Sequence, residues 1–278
     1  MNNMLGDMFA FGFMQRALVV GLLVSVCASL LGVVLVLRRY AMMGDGLSHV
    51  GFGSLAIATA LGIAPLWFAT PVVVATAFLL LQLSENGKIK GDAIIAILST
   101  SALAVGVIVL SLSTGMTTDV NNYLFGSILA VQQEDVWISV ILAVAVMGLF
   151  FLFYRKIFSI TFDETFAKAT GEKTKLYQML IALLTAVTVV LGMRMMGAML
   201  ISSLIIFPAL SAMRVCRRFS SVCLCAAVIS IVCFLVGMIS SYMLATPSGA
   251  SIVLVNLFVF LAFSAVGKLQ HGFFSSSI

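Results

Sequence analysis

Charge is what this sequence has least of. Asp, Glu, Lys and Arg make up 9% of its 278 residues, whereas 62% are hydrophobic. A soluble domain carries roughly 25% charged residues. So much apolar surface cannot be hidden in a soluble core of this length, so lipid must be the solvent. Other absences narrow the chemistry. The five cysteines, Cys27, Cys216, Cys223, Cys225 and Cys233, form no CxxC pair and read as small packing residues. There is no HExxH motif and no second carboxylate inside a span beside Asp45, which argues against an intramembrane hydrolase. No phosphate-binding loop occurs. The nearest stretch, ATGEKTK at 169–175, has Glu172 where the second glycine belongs. If ATP drives this chain, the motor is another polypeptide. The N-terminus lacks the basic and cleavable features of a signal peptide, so the first apolar run reads as a retained span.

What is present is a series of uncharged apolar runs, each near the roughly 20 residues needed to cross hydrocarbon. Nine are expected: 17–37, 46–64, 65–83, 93–113, 136–154, 176–192, 197–213, 221–244 and 250–267. The pair at 176–192 and 197–213 is short, and a partial crossing there would reduce the count to eight. The whole chain, 1–278, therefore reads as a single all-α membrane domain of about eight or nine transmembrane helices. The net charge of +5 sits in short loops, which points to membrane topology and not to nucleic acid. With the N-terminus outside and the C-terminus inside, all but Arg16 and Arg194 of the 15 basic residues fall on the inner side. The positive-inside rule selects that orientation. Asp7, Asp119, Glu134 and Asp135 then lie outside, as solvated loop residues or as a mildly acidic face that favours cations.

Two features carry candidate chemistry. Asp45 and His49, in MMGDGLSHVGFG, are four residues apart and share one helix face. Ionisable groups in a span are costly and mark ion paths, and a carboxylate with an imidazole suits zinc, manganese or iron. One chain supplies only two ligands, so a homodimer would be needed for an N2O2 set. A hydrogen-bonded pair at a helix start is the structural alternative. The second feature is the longest inner loop, 155–175. Its early acids Asp163 and Glu164, later lysines and Gly171 suit a short helix with Phe162, Phe166 and Ala169 at helical spacing. Such a helix either docks a soluble partner or lies on the membrane. Met193, Met195, Met196 and Met199 read as packing rather than a Cu(I) site, and His271 as a solvated tail residue. Pro208 should kink its span, and Gly44, Gly46, Gly51 and Gly53 permit close helix approach around the Asp–His pair.

Six segments in order resemble the permease subunits of binding-protein-dependent ABC transporters for zinc, manganese or iron. They are LRRYAMMGDGLSHVGFG (37–53), KGDAIIAILSTSALAVGVIV (90–109), YLFGSILAV (123–131), FDETFAKATG (162–171), MGAMLISSLIIFPALSA (196–212) and TPSGASIVL (246–254). The resemblance implies a fold like the vitamin B12 importer permease, working as a permease dimer in the cytoplasmic (inner) membrane. It implies an ATP-binding partner subunit and an extracytoplasmic metal-binding protein. Asp45 and His49 match the family's path residues. Phe162, Asp163, Glu164, Phe166, Ala167 and Gly171 match the helix that couples to the ATPase. No cofactor is implied beyond the transported ion, with zinc favoured over manganese by the 123–131 and 246–254 segments. Ala96 replaces a glycine usual in the family, which puts local packing in question. An iron-chelate or cobalamin-like substrate would need a wide path free of ligands. A proton-coupled secondary carrier would leave the coupling-like loop unexplained.

Overall fold

The computed structural model describes residues 11–85, 91–113 and 133–275. Asp7, Asp119 and the 123–131 segment lie outside the described residues. So do the side chains of Glu134, Asp135, Arg194, Met195 and His271.

Each expected span falls on a helix. In chain order these are α1 (Gly12–Leu37), α2 (Met43–Ala60), α3 (Pro65–Glu85), α4 (Gly91–Ser113) and α5 (Gln133–Leu152). They continue as α6 (Tyr154–Phe162), α7 (Glu164–Ala169), α8 (Thr174–Met196), α9 (Ala198–Val215), α10 (Phe219–Leu244) and α11 (Ser248–Ser275). Among the described residues, seven are long and apolar enough to cross a membrane, and eight if α5 and α6 count as one bent span. Both members of the short pair, α8 and α9, pass that test. Gly197 alone joins them, at φ +86°, a conformation that glycine adopts without a Cβ penalty. α9 remains helical through Pro208.

The span outside that group is α2, which carries Asp45 and His49. Lipid would penalise these polar groups, and other helices enclose most of α2, although the two polar side chains themselves stay partly exposed. Helices α3, α4, α8 and α9 all pack on α2. Its side chains are buried almost throughout, including Leu47, Phe52 and Leu55 at 0% exposure. Close approach is what makes this enclosure achievable. A Cβ on Gly53 would lie 2.6 Å from the Ala102 carbonyl oxygen of α4, so only glycine allows the two backbones to meet there. Helix α1 is the other centre, buried from Ala28 to Leu35 and contacted by α5, α8, α9 and α10. Ala96 lies on the exposed face of α4, so its methyl group does not disturb packing inside the chain.

The loop expected as one short helix is two. The chain turns by 67° after α5 into α6, whose Ile157 and Ile160 are buried while Phe158 and Phe162 are exposed. Asp163 then breaks the helix in extended conformation and caps α7, its carboxylate accepting the Phe166 amide hydrogen at 2.8 Å. The Phe158, Phe162 and Phe219 rings pack together in tilted and edge-on geometry, with centroids 4.8–6.0 Å apart.

Candidate functional site

The first turn of α2 begins at the end of the bundle that carries Arg38, Arg39 and the 155–175 loop, here called the basic end. Asp45 lies in that turn. His49 follows one turn later, with its Nε2 3.7 Å from Asp45 Oδ2. That separation exceeds a hydrogen bond, and Asp45 does not cap its helix. The helix start is instead stitched by the Ser48 hydroxyl, which donates to the Asp45 carbonyl at 2.7 Å. The alternative of a hydrogen-bonded Asp–His pair securing the helix start thus lacks its bond. The Nδ1 atom of His49 is buried without a hydrogen-bond partner, a costly condition for an imidazole nitrogen.

Exposure along α2 is limited to a few positions. The Asp45 side chain is 37% exposed and that of His49 26%. Ile57, Thr59 and Ala60, at the far end, are the other residues of α2 that are not buried. The enclosing helices therefore leave uncovered, near the basic end, the stripe that carries the two ligand-type side chains. Among the described residues no group of three or more His, Cys, Asp or Glu side chains is placed to hold an ion. An ion with bonds of roughly 2.0–2.2 Å to nitrogen and oxygen fits between atoms 3.7 Å apart, but one chain gives it two ligands.

The second cluster is α7 and its supports. Phe162 and Phe166 are 59% and 61% exposed, and Asp163 is exposed beside them. Ala167 is fully buried and turns inward. Gly171 takes the left-handed φ of +81° that closes the segment. Glu164 also faces inward: its carboxylate pairs with Arg38 at 2.9 Å and with Lys168 at 2.6 Å, and Gln178 of α8 hydrogen-bonds to it. Burial works to raise the Glu164 carboxyl, but the Lys168 hydrogen bond, the two cations and Gln178 outweigh it and hold it below its ordinary range. A second ion pair, Lys156 with Glu172, fixes α6 to the end of the segment.

Reading the sequence placed Arg38 among topology signals and missed this role. The two partners stand 126 positions apart, and no local pattern connects them. The methionine reading holds for two members of its cluster: Met193 and Met196 are buried, and Met193 packs against Gly51 of α2.

The model of the ABC 3 transport family matches residues 10–267. The manganese transport system membrane protein MntC of Halalkalibacterium halodurans is 31% identical over 258 residues, covering 92% of this chain and 88% of that protein. The high-affinity zinc uptake system membrane protein ZnuB of Haemophilus influenzae is 30% identical, covering 90% and 96%. The solved PsaBC of Streptococcus pneumoniae, in complex with Fab, superposes with a TM-score of 0.86 at 28% identity, covering 97% of this chain and 99% of that one. A metal-chelate type ABC transporter in an inward-facing conformation shares the fold, with a TM-score of 0.75 at 19% identity.

Proposed function

The chain belongs to the ABC 3 transport family, and on that premise we propose that it is the membrane-spanning subunit of an ATP-driven importer of divalent zinc or manganese. The observation that carries the reading is the uncovered stripe of α2. A carboxylate and an imidazole are held 3.7 Å apart on a helix otherwise enclosed by protein. Two copies meeting along that stripe would supply two oxygens and two nitrogens, a set that suits a divalent transition metal. Such a site should bind transiently, because a path site must release its ion. An extracytoplasmic binding protein would supply the tight capture. The basic end faces the cytoplasm on this reading, in line with the distribution of Lys and Arg. There the exposed Phe162 and Phe166 would seat α7 in a groove of the ATPase subunit, which carries the phosphate-binding loop this sequence lacks. The manganese and zinc systems among the relatives support the ion class. A wide, ligand-free path for a chelate is not supported by the Asp45–His49 stripe.

The test is ATP-dependent uptake per assembled complex in vesicles, with zinc and manganese each offered alone and in competition. Asp45→Asn keeps the size and removes the charge; His49→Leu removes the nitrogen. Each should abolish uptake of the transported metal while leaving assembly with the ATPase intact. Uptake near the unsubstituted rate in either variant would sink the ligand assignment.

A further inference from the structure

A crevice of about 410 Å³ opens on the side of α1 that α5 and α10 flank. Helix α1 forms its floor with Val26 and Leu30. Phe150 and Phe151 of α5 form one wall, and Cys223 and Leu224 of α10 the other. Both wall helices pack on α1, and the outer rims are exposed, Phe151 at 61% and Leu224 at 69%. A void so lined forfeits dispersion contacts, and in a bilayer the material at hand to fill it is an acyl chain.

One end of the crevice is polar. Tyr154, at the 67° turn from α5 into α6, lines it together with Ser220 of α10, and their hydroxyls are hydrogen-bonded. The Tyr154 ring lies 5.4 Å from that of Phe219, so the starts of α6 and α10 meet here. Arg155 follows Tyr154, and Arg217 and Arg218 precede Phe219. All three arginines are exposed, and none forms an ion pair among the described residues. No Asp or Glu occurs in 150–162 or 213–247. The end of the crevice thus carries two hydroxyls, and three exposed arginines without ion pairs adjoin it in the chain, at the level where a span becomes a surface helix.

We infer that this crevice binds an anionic phospholipid, with one acyl chain along Val26, Leu30 and Leu224 and the phosphate at the Arg155–Arg218 rim. Basic pockets at the ends of transmembrane helices recognise such headgroups. A second protein copy would need a largely apolar surface here. It would leave the three arginines without counter-charge, so lipid is the occupant the charges favour.

The full chain can be tested in mixed micelles through a tryptophan at the rim. Leu224→Trp, in a background with Trp67→Phe and Trp137→Phe, reports contact with lipids brominated on their acyl chains. Brominated phosphatidylglycerol should quench the introduced indole at lower mole fraction than brominated phosphatidylcholine with the same chains, by about fivefold for each arginine engaged. Arg155→Gln, Arg217→Gln and Arg218→Gln together should bring the two lipids to equal potency without abolishing quenching, because the apolar crevice remains. Equal potency before the arginines are changed would overturn the inference. So would a preference that survives their removal, or an absence of quenching by both lipids, which would mean that protein covers the crevice.

Discussion

The Glu164–Arg38 ion pair fastens α7 to the end of α1. Glu164→Gln keeps the shape and the bond to Gln178 but removes the counter-charge of Arg38. The Arg38 side chain is 9% exposed and its partner 32%. Breaking a fully buried pair by removing one partner costs roughly 3–5 kcal/mol. Glu164 is a third exposed, so water recovers part of that cost. Arg38 also keeps its contact over the Tyr40 ring, at 5.7 Å, which at such sites is worth roughly 1 kcal/mol. The expected loss is therefore about 2 kcal/mol of resistance to unfolding. Arg38→Gln should cost less, about 1 kcal/mol, because Glu164 retains Lys168. The decisive measurement is the double variant, by urea unfolding in detergent micelles followed by helical signal. Once Arg38 is gone, Glu164→Gln should cost little more, leaving a coupling energy of about 1–2 kcal/mol. Additive losses, agreeing within about 0.5 kcal/mol, would refute the claim that this pair fastens α7 to α1.

The same carboxyl predicts a pH dependence. Its folded pKa lies below the ordinary 4.5, so the pair's stabilisation is fully present above that value and is lost as pH falls through the folded pKa. The stability gap between the unsubstituted chain and Glu164→Gln should hold constant from about pH 7 to 5 and close only below 4.5. Phe166→Asp changes a side chain that is 61% exposed, so stability should move by no more than about 0.5 kcal/mol while co-purification with the ATPase is lost; intact co-purification would count against docking through α7. A cysteine at the exposed Thr170 should resist an impermeant thiol reagent in intact cells and react once the membrane is opened. Rapid labelling in intact cells would reverse the proposed orientation. Gly53→Val places a Cβ 2.6 Å from the Ala102 carbonyl oxygen; the overpacking should cost about 1–3 kcal/mol, read as a lowered unfolding midpoint, and a neutral result would mean that α2 and α4 are free to separate.

Much of this fold was legible because lipid imposes length and composition on anything that crosses it. All nine expected runs became helices. The second run, 46–64, was expected as a span like the others; the structure adds that its helix, α2, which also takes in Asp45, is enclosed by α3, α4, α8 and α9 along most of its length. The shared face of Asp45 and His49 followed from spacing alone. What the sequence hid was long-range or backbone-determined. The 67° turn after Leu152 has no proline or glycine at it; it arises because Ile157 and Ile160 bury against the bundle while Phe158 and Phe162 do not. Within a six-residue helix, no periodicity could show that Glu164 and Ala167 turn inward while Phe166 turns out. Arg38 as the partner of Glu164 was beyond any local pattern, and so was the crevice under Tyr154.

On the proposed function, a displacement of α7 by the ATPase has a short material route to the ligand pair. Glu164 ties α7 to Arg38 at the end of α1, and through Gln178 to α8. Six residues back along α1, Gly32 lies against the backbone of Ile205 in α9, a contact that any side chain at 32 would prevent. The Ile205 side chain in turn fills the space over Gly44, where a Cβ would come within 2.6 Å of its Cδ1. Gly44 precedes Asp45. Helix α8 reaches the same helix separately, through Met193 against Gly51. The Gly32–Ile205 link is backbone to backbone and has no rotamer to absorb displacement, whereas the links to Gly44 and Gly51 run through the Ile205 and Met193 side chains packed against glycine. The two ties at Glu164 thus lead, through α1 with α9 and through α8, to positions on either side of His49. A pull shared by both routes would move α2 as a body and carry the Asp45–His49 pair past its counterpart. Failure of one tie would instead tilt α2 and change the spacing of the ligands. If the proposed docking of α7 holds, the Arg38–Glu164 pair, remote from the ion, would take part in transport through these two routes.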